Sequence, residues 1–129
     1  MKIANPVGKK GEDSAARYLH EKGYRVVEMN YRKNYTEIDI IAIQPVLGKP
    51  INQGILVFFE VKTRISGVYG TPFEAITKEK IKNVVRTAQQ YQATHRQLPE
   101  QMRIDAIGIT MDDKTNVLDI EHVENISGF

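Results

Sequence analysis

Three side chains in two short stretches carry the chemistry this chain can offer. Asp39 lies within Glu37-Ile38-Asp39-Ile40-Ile41, and Glu60 and Lys62 lie within Phe58-Phe59-Glu60-Val61-Lys62. Apart from Glu37, the remaining residues of both stretches are branched or aromatic, as in a buried strand. A charge in such a place is expensive unless it is paired or binds a metal. An acid on one strand and acid-x-lysine on the next outline a magnesium-dependent nuclease site. Two nearby carboxylates repel, and one is driven toward protonation unless a cation sits between them. Oxygen-only ligands favour a hard divalent ion, Mg²⁺ or Mn²⁺, with waters retained. Such an ion acidifies a bound water and stabilises charge building on a phosphoryl oxygen. Lys62 can orient or deprotonate that water, or neutralise the transition state, and the spacing does not choose between these roles.

The elements that must position these residues follow from periodicity and punctuation. A first helix is expected over Lys9–Lys22, with Ala15, Ala16 and Leu19 inward and Gly23 as its stop. Glu12 and Asp13 then fall in its first turn, where the helix dipole favours them. Strands are expected over Tyr24–Arg32, Glu37–Ile43 and Ile55–Thr63, with a loop over Gln44–Gly54 holding two prolines and two glycines. A polar loop follows over Arg64–Gly70. Thr71-Pro72-Phe73-Glu74 reads as a capping box that starts a helix. A longer helix runs over Lys78–Arg96 with the stripe Ile81, Val84, Val85, Ala88 and Tyr91. Further strands cover Met102–Thr110 and Val117–Val123.

The order is thus α-β-β-β-α-β-β, an α/β sandwich with a mixed β-sheet and helices packed on the sheet. Short connections make the first three strands an antiparallel meander, and the long helix makes strands three and four parallel. Alternation along a strand puts Glu60 and Lys62 on one side, with Phe59 and Val61 on the other. It likewise pairs Glu37 with Asp39 and Ile38 with Ile40. Asp39 and Glu60 can then meet, with Lys62 one pleat away.

Composition narrows the function classes. At 129 residues the chain has room for a single domain, 1–129. With no cysteine, disulfides and Cys-based zinc sites are excluded, and His20, His95 and His122 lack metal-ligand spacing. There is neither a leader-like apolar segment nor a membrane span, so a cytoplasmic protein is expected. The net charge of +2 argues against general polyanion coating. Lys62, Arg64, Lys78, Lys80, Lys82 and Arg86 nevertheless cluster near the proposed site, and Lys9, Lys10 and Arg17 could extend the patch. Phosphate contact by Arg64, Lys78 and Lys80 is one use, and a solvated helix face is the other.

The chain resembles a bacterial family called YraN-like, grouped with restriction-endonuclease-like folds. The matching residues span nearly its whole length: Gly11-Glu12 with Ala15 and Leu19; Gly23-Tyr24; Asn30-Tyr31-Arg32; Glu37-Ile38-Asp39; Phe59-Glu60-Val61-Lys62-Thr63-Arg64. They continue through Gly70, Pro72, Glu74-Ala75, Lys80, Arg103-Ile104-Asp105, Ile120-Glu121-His122 and Phe129. The resemblance implies a PD-(D/E)xK core similar to Holliday-junction resolvases and RecB-like nucleases. On that core Asp39 and Glu60 are metal carboxylates, Lys62 is the catalytic lysine, and Glu12 is the acid that the first helix brings to the metal. Thr36 replaces the Gly usual before Glu-Ile-Asp, and the Gln44–Gly54 loop is longer than usual.

Each residue also has a plainer reading. Glu60 and Lys62 could pair on an exposed edge strand, and Asp39 could cap a turn or pair with Arg103. Glu12 suits a helix start, and Lys80 suits a solvated helix face. Arg103 and Asp105 suit an ion pair with each other or with a neighbour. Taken together the residues predict a metal-dependent nuclease acting on DNA, with Mg²⁺ or Mn²⁺ as cofactor, recognising shape, branch or end rather than sequence. Homodimers are the usual form of junction-cutting enzymes. The alternatives are a non-catalytic nucleic-acid-binding module of the same fold, accessory to DNA repair or uptake, and a structural adaptor.

Overall fold

The computed structural model describes residues 6–67 and 70–128. Met1–Asn5, the tip of the expected Arg64–Gly70 loop and the closing Phe129 lie outside them. Helix α1 spans Pro6–Glu21, β1 Arg25–Lys33, β2 Thr36–Gln44 and β3 Ile55–Ile65. Helix α2 spans Lys78–Thr94, β4 Met102–Met111 and β5 Val117–Val123, with short 3₁₀ turns at Ile51–Gln53 and Pro72–Ala75. The strands form one sheet in the order β1-β2-β3-β4-β5, with β3–β4 parallel and every other pair antiparallel. This is the expected α-β-β-β-α-β-β order, an α/β sandwich with a mixed sheet. Among the described residues, no helix is long and apolar enough to cross a membrane.

Each helix covers one face of the sheet. Ala15 and Leu19 of α1 pack with Ile40, Ala42, Val57, Phe59 and Ile107. Val84, Ala88 and Tyr91 of α2 pack with Ile38, Ile41, Phe58 and Ile104. At the end of α1 the Tyr24 N–H reaches the Leu19 carbonyl and the Gly23 N–H reaches that of His20, with Gly23 at φ 90°. This is the Schellman arrangement expected of Gly23.

Several expectations are corrected. Helix α1 begins at Pro6, a residue suited to a first turn, so Glu12 and Asp13 lie well inside it and the dipole does not account for them. Asp13 instead pairs with Lys9 one turn back at 3.6 Å. The capping box at Thr71 does not form: Thr71 makes no side-chain cap bond and Pro72–Ala75 is only a 3₁₀ turn. The working cap is Thr77, whose hydroxyl accepts the Lys80 N–H at 3.1 Å at the start of α2. Strand β3 runs on to Ile65 because β4 pairs with it residue by residue up to Ile65↔Met111, so the following loop starts later than Arg64. Strand β3 lies between β2 and β4 rather than at the sheet edge, yet the expected pairing of Glu60 with Lys62 forms, at 3.5 Å.

The most informative departure concerns alternation in β2. Ile40 packs in the α1 layer, yet Ile38 packs in the α2 layer, two residues away on the same strand. Its partner strand does the same, with Met29 against the α1 layer and Tyr31 against the α2 layer. Between them Asn30 takes the left-handed conformation at φ 55°, which a regular strand does not contain. The two paired strands therefore turn over together at Asn30 and Asp39.

Candidate active site

That turnover opens a fork. Strands β2 and β3 are paired from Gln44↔Ile55 to Ile40↔Phe59, and the pairing ends there. The next residue on each strand is Asp39 and Glu60. Past the last pair, the Val61 N–H donates to Asp39 Oδ2 at 2.8 Å. A side-chain carboxylate thus takes a backbone donor at the point where the ladder parts, which keeps that buried N–H satisfied. Asp39, Glu60 and Lys62 line one open cleft of about 630 Å³, together with Glu12, Glu37 and Lys80.

Helix α1 delivers Glu12 through an unusually close approach. A Cβ built on Gly11 would overlap the Thr63 hydroxyl of β3. Only glycine lets the helix backbone rest there, and the next residue, Glu12, then faces the fork. With the Asn30 amide turned so that its NH₂ meets the surrounding acceptors, it donates to Glu12 Oε1 at 2.7 Å and to Glu37 Oε1 at 3.2 Å. Arg32 holds the other Glu37 oxygen at 3.1 Å. Glu37 is therefore the outer member of the cluster, braced by Arg32 and Asn30.

Electrostatics in the cleft are strongly unbalanced. Asp39 is 9% exposed and Glu60 4%. Burial, then the neighbouring Glu60 charge, with smaller contributions from Glu12 and Glu37, pushes the Asp39 carboxyl up to about 7, while the Val61 N–H pulls the other way. Glu60 Oε1 is held by Lys80 Nζ at 2.6 Å and by Lys62 Nζ at 3.5 Å. Burial opposes the charge on Lys80, but the bond to Glu60 outweighs it and raises the lysine above its ordinary value. The second Glu60 oxygen, Oε2, is buried and has no hydrogen-bond partner among the described residues. Asp39 does not meet Arg103, which serves Asp105, Gln44 and Tyr24.

A hard cation suits this donor set. Burial first, and then the Glu60 charge, raises the Asp39 carboxyl, and a cation would relieve that repulsion and serve the buried Glu60 Oε2. Yet among the described residues no three acidic or histidine side chains are gathered tightly enough to hold a metal ion as they stand. The Lys80 ammonium already occupies one Glu60 oxygen.

The other residues expected at the site divide. Lys80 lines the cleft and pairs with Glu60 Oε1 at 2.6 Å. Lys78 lines a neighbouring groove with Lys82 and Ile126. Arg64 is half-buried and does not line the cleft. Arg103 and Asp105 form the expected ion pair, with Nε–Oδ1 2.8 Å and Nη2–Oδ2 2.9 Å. His122 Nε2 and the Asn125 N–H complete the ring around Asp105, which is fully buried. Burial alone would raise Asp105, but these donors hold it below the ordinary carboxylate value. Asn30 was not singled out for the site from sequence; a polar residue inside a strand opposite Asp39 was the available signal.

A mixed α/β sandwich whose parted central strands hold an acid, an acid-x-lysine and a helix-borne glutamate defines the class of protein. The chain belongs to the uncharacterised protein family UPF0102, which it matches over residues 11–109. It is 39% identical to the UPF0102 protein of Chlorobium phaeobacteroides over 127 residues, covering 95% of this chain and 94% of that one. It is 41% identical to a UPF0102 protein of Alkaliphilus oremlandii over 121 residues, covering 92% and 95%. Among solved structures it is similar to Pyrococcus furiosus SfsA in complex with Ca²⁺, at 15% identity and a TM-score of 0.40. That match covers 88% of this chain and 62% of the other.

Proposed function

We propose that this chain is a metal-dependent nuclease that hydrolyses phosphodiester bonds in DNA. The observation that carries the reading is the fork. Where β2 and β3 part, Asp39, Glu60 and Lys62 line one cleft, with Asp39 raised to about 7 and Glu60 Oε2 without a hydrogen-bond partner among the described residues. Asp39 and Glu60, with Glu12 from α1, would hold Mg²⁺ or Mn²⁺, which supplies Lewis-acid stabilisation of the phosphoryl oxygens and an acidified water. The chain's own residues perform the rest. The Val61 N–H fixes the Asp39 carboxylate at the end of the ladder. Lys62 stands beside Glu60, so its ammonium lies next to the position of a scissile phosphate and offsets charge developing there. Lys80 holds Glu60 Oε1, and its partly exposed ammonium would add positive charge for a phosphate in the cleft.

The test is a panel of duplex, single-stranded and branched DNA incubated with Mn²⁺. Cleavage of at least one substrate by the parent protein, lost in Lys62→Ala and Asp39→Asn, is the expected result. If the parent leaves every substrate intact under conditions where it binds Mn²⁺ and DNA, the nuclease reading fails. A second reading, a non-catalytic nucleic-acid-binding module of the same fold, draws on the Lys80–Glu60 contact. An acid already neutralised by a lysine has less need of a metal. Binding without cleavage would favour it.

A further inference from the structure

Beside the carboxylate cleft lies a second, smaller hollow that the proposed hydrolysis does not use. It has a volume of about 220 Å³, and its lining includes Lys33, Tyr35, Asn83, Arg86 and Gln90. Tyr35, Thr36 and Asn83 line both cavities, so the two adjoin. The hollow lies between the β1–β2 turn and the outward face of α2. Asn34, left-handed at φ 57°, sits in the two-residue connection that joins Lys33 to Thr36 across the turn. The other residue of that connection, Tyr35, is 106% exposed. An aromatic ring with no buried face contributes nothing to the core, and it stands at the mouth of the acidic site.

We propose that this hollow receives one unpaired nucleobase adjoining the phosphate in the cleft, with the base stacked on Tyr35. The inference rests on the nucleic-acid reading above and names its substrate class: DNA with an unstacked nucleotide at a branch, gap or end. The chemistry of the lining fits a nucleotide in each of its parts. The Tyr35 ring offers a stacking surface that accepts any base. The Asn83 and Gln90 amides each carry a donor and an acceptor for a base edge. Lys33 and Arg86, both exposed, supply cations for the flanking phosphates. A base held in a stacked duplex cannot enter, because reaching the hollow requires leaving the stack. Preference for DNA structure over sequence follows, since Tyr35 reads a π-face that every base possesses.

The experiment measures binding by the full chain without divalent ion, so that no strand is cut. Two duplexes are compared, one fully paired and one with a single unpaired 2-aminopurine. The expected result is tighter binding of the second by about tenfold, the scale of one base–aromatic stack, with quenching of the 2-aminopurine emission. Tyr35→Ala should erase the quenching and the preference, and Tyr35→Phe should keep both. If Tyr35→Ala retains the quenching and the preference, or the parent binds both duplexes alike, the base hollow is overturned while the nucleic-acid reading stands. If no DNA binds at all, both fall together.

Discussion

The sharpest consequence of the fork is that the protein should be stabilised by removing the acid at its centre. Asp39 is raised from an ordinary 3.8 to about 7 by burial and by the carboxylates around it. In the unfolded chain the same group ionises near its ordinary value. Below about pH 4 both states are protonated and Asp39 exerts no penalty. As pH rises from there to about 7, the unfolded state ionises first, and folding loses roughly 1.4 kcal/mol per pH unit. Above about 7 the penalty is complete at about 4 kcal/mol, an upper figure for an acid whose shift is shared with neighbouring charges. Asp39→Asn keeps an oxygen for the Val61 N–H and presents an amide rather than a charge to Glu60. Its stability advantage should therefore grow between about pH 5 and about pH 8 by roughly 2–3 kcal/mol. For a chain of this size that is a widening of the melting-temperature gap by about 10 °C. Urea or thermal unfolding in chelator at the two pH values measures it. Adding Mg²⁺ or Mn²⁺ at the higher pH should raise the parent and leave Asp39→Asn unmoved, closing the gap. An advantage that is equal at both pH values, or a variant less stable than the parent at the higher one, would refute the account of Asp39 as a strained carboxylate.

Other perturbations test how the surroundings are built. Asp105→Ala should cost about 3–5 kcal/mol in urea unfolding, because it leaves the half-buried Arg103 without its main anionic partner. Gly11→Ala should cost about 1–3 kcal/mol, since the new Cβ meets the Thr63 hydroxyl, and a smaller side chain at position 63 should return part of that. Thr77→Ala should lower stability by about 1 kcal/mol through loss of the α2 cap, while Thr71→Ala should stay within about 0.5 kcal/mol. Asn30→Ala should lower Mn²⁺ affinity by calorimetry, because the Asn30 amide braces Glu12 and Glu37 beside the fork.

The strands and their order were legible because each is a dense run of branched residues closed by Gly, Pro or Asn, and because connection lengths fix direction. The trio Asp39, Glu60 and Lys62 was legible for the same reason: charges inside greasy runs stand out. Asn30 was not, since nothing in its neighbours announces a left-handed residue in mid-strand, and the simple period-2 pattern carried Ile38 to the wrong face. The start of α2 at Lys78 was legible, but the separate helix expected from Thr71 is only the 3₁₀ turn Pro72–Ala75. Phe73 and Pro72 of that turn pack closely over Gly108, a contact from a distant strand. The Lys80–Glu60 pair joins α2 to β3 across twenty positions of sequence, beyond the reach of any local spacing rule.

The two buried aspartates show why position alone does not mark a functional acid. Asp105 is completely enclosed, yet Arg103, His122 and the Asn125 N–H donate to it, and it stays below its ordinary value. Asp39 is less enclosed, but it has the Val61 N–H as a donor and the charges of Glu60, Glu12 and Glu37 nearby, and it is pushed up. Burial acts on both in the same direction, so the supply of donors decides the sign. An acid that only had to join strands would be better served by the treatment given to Asp105. At the fork the ladder has already ended, and the donors that would quiet Asp39 are replaced by Glu12, Glu37 and Glu60. Such an arrangement is stable only in proportion to the positive charge brought into it, and Lys62 and Lys80 both bear on a single oxygen of Glu60. The remaining oxygen, Glu60 Oε2, and the raised Asp39 are the two places where a further cation would lower the energy of the fold.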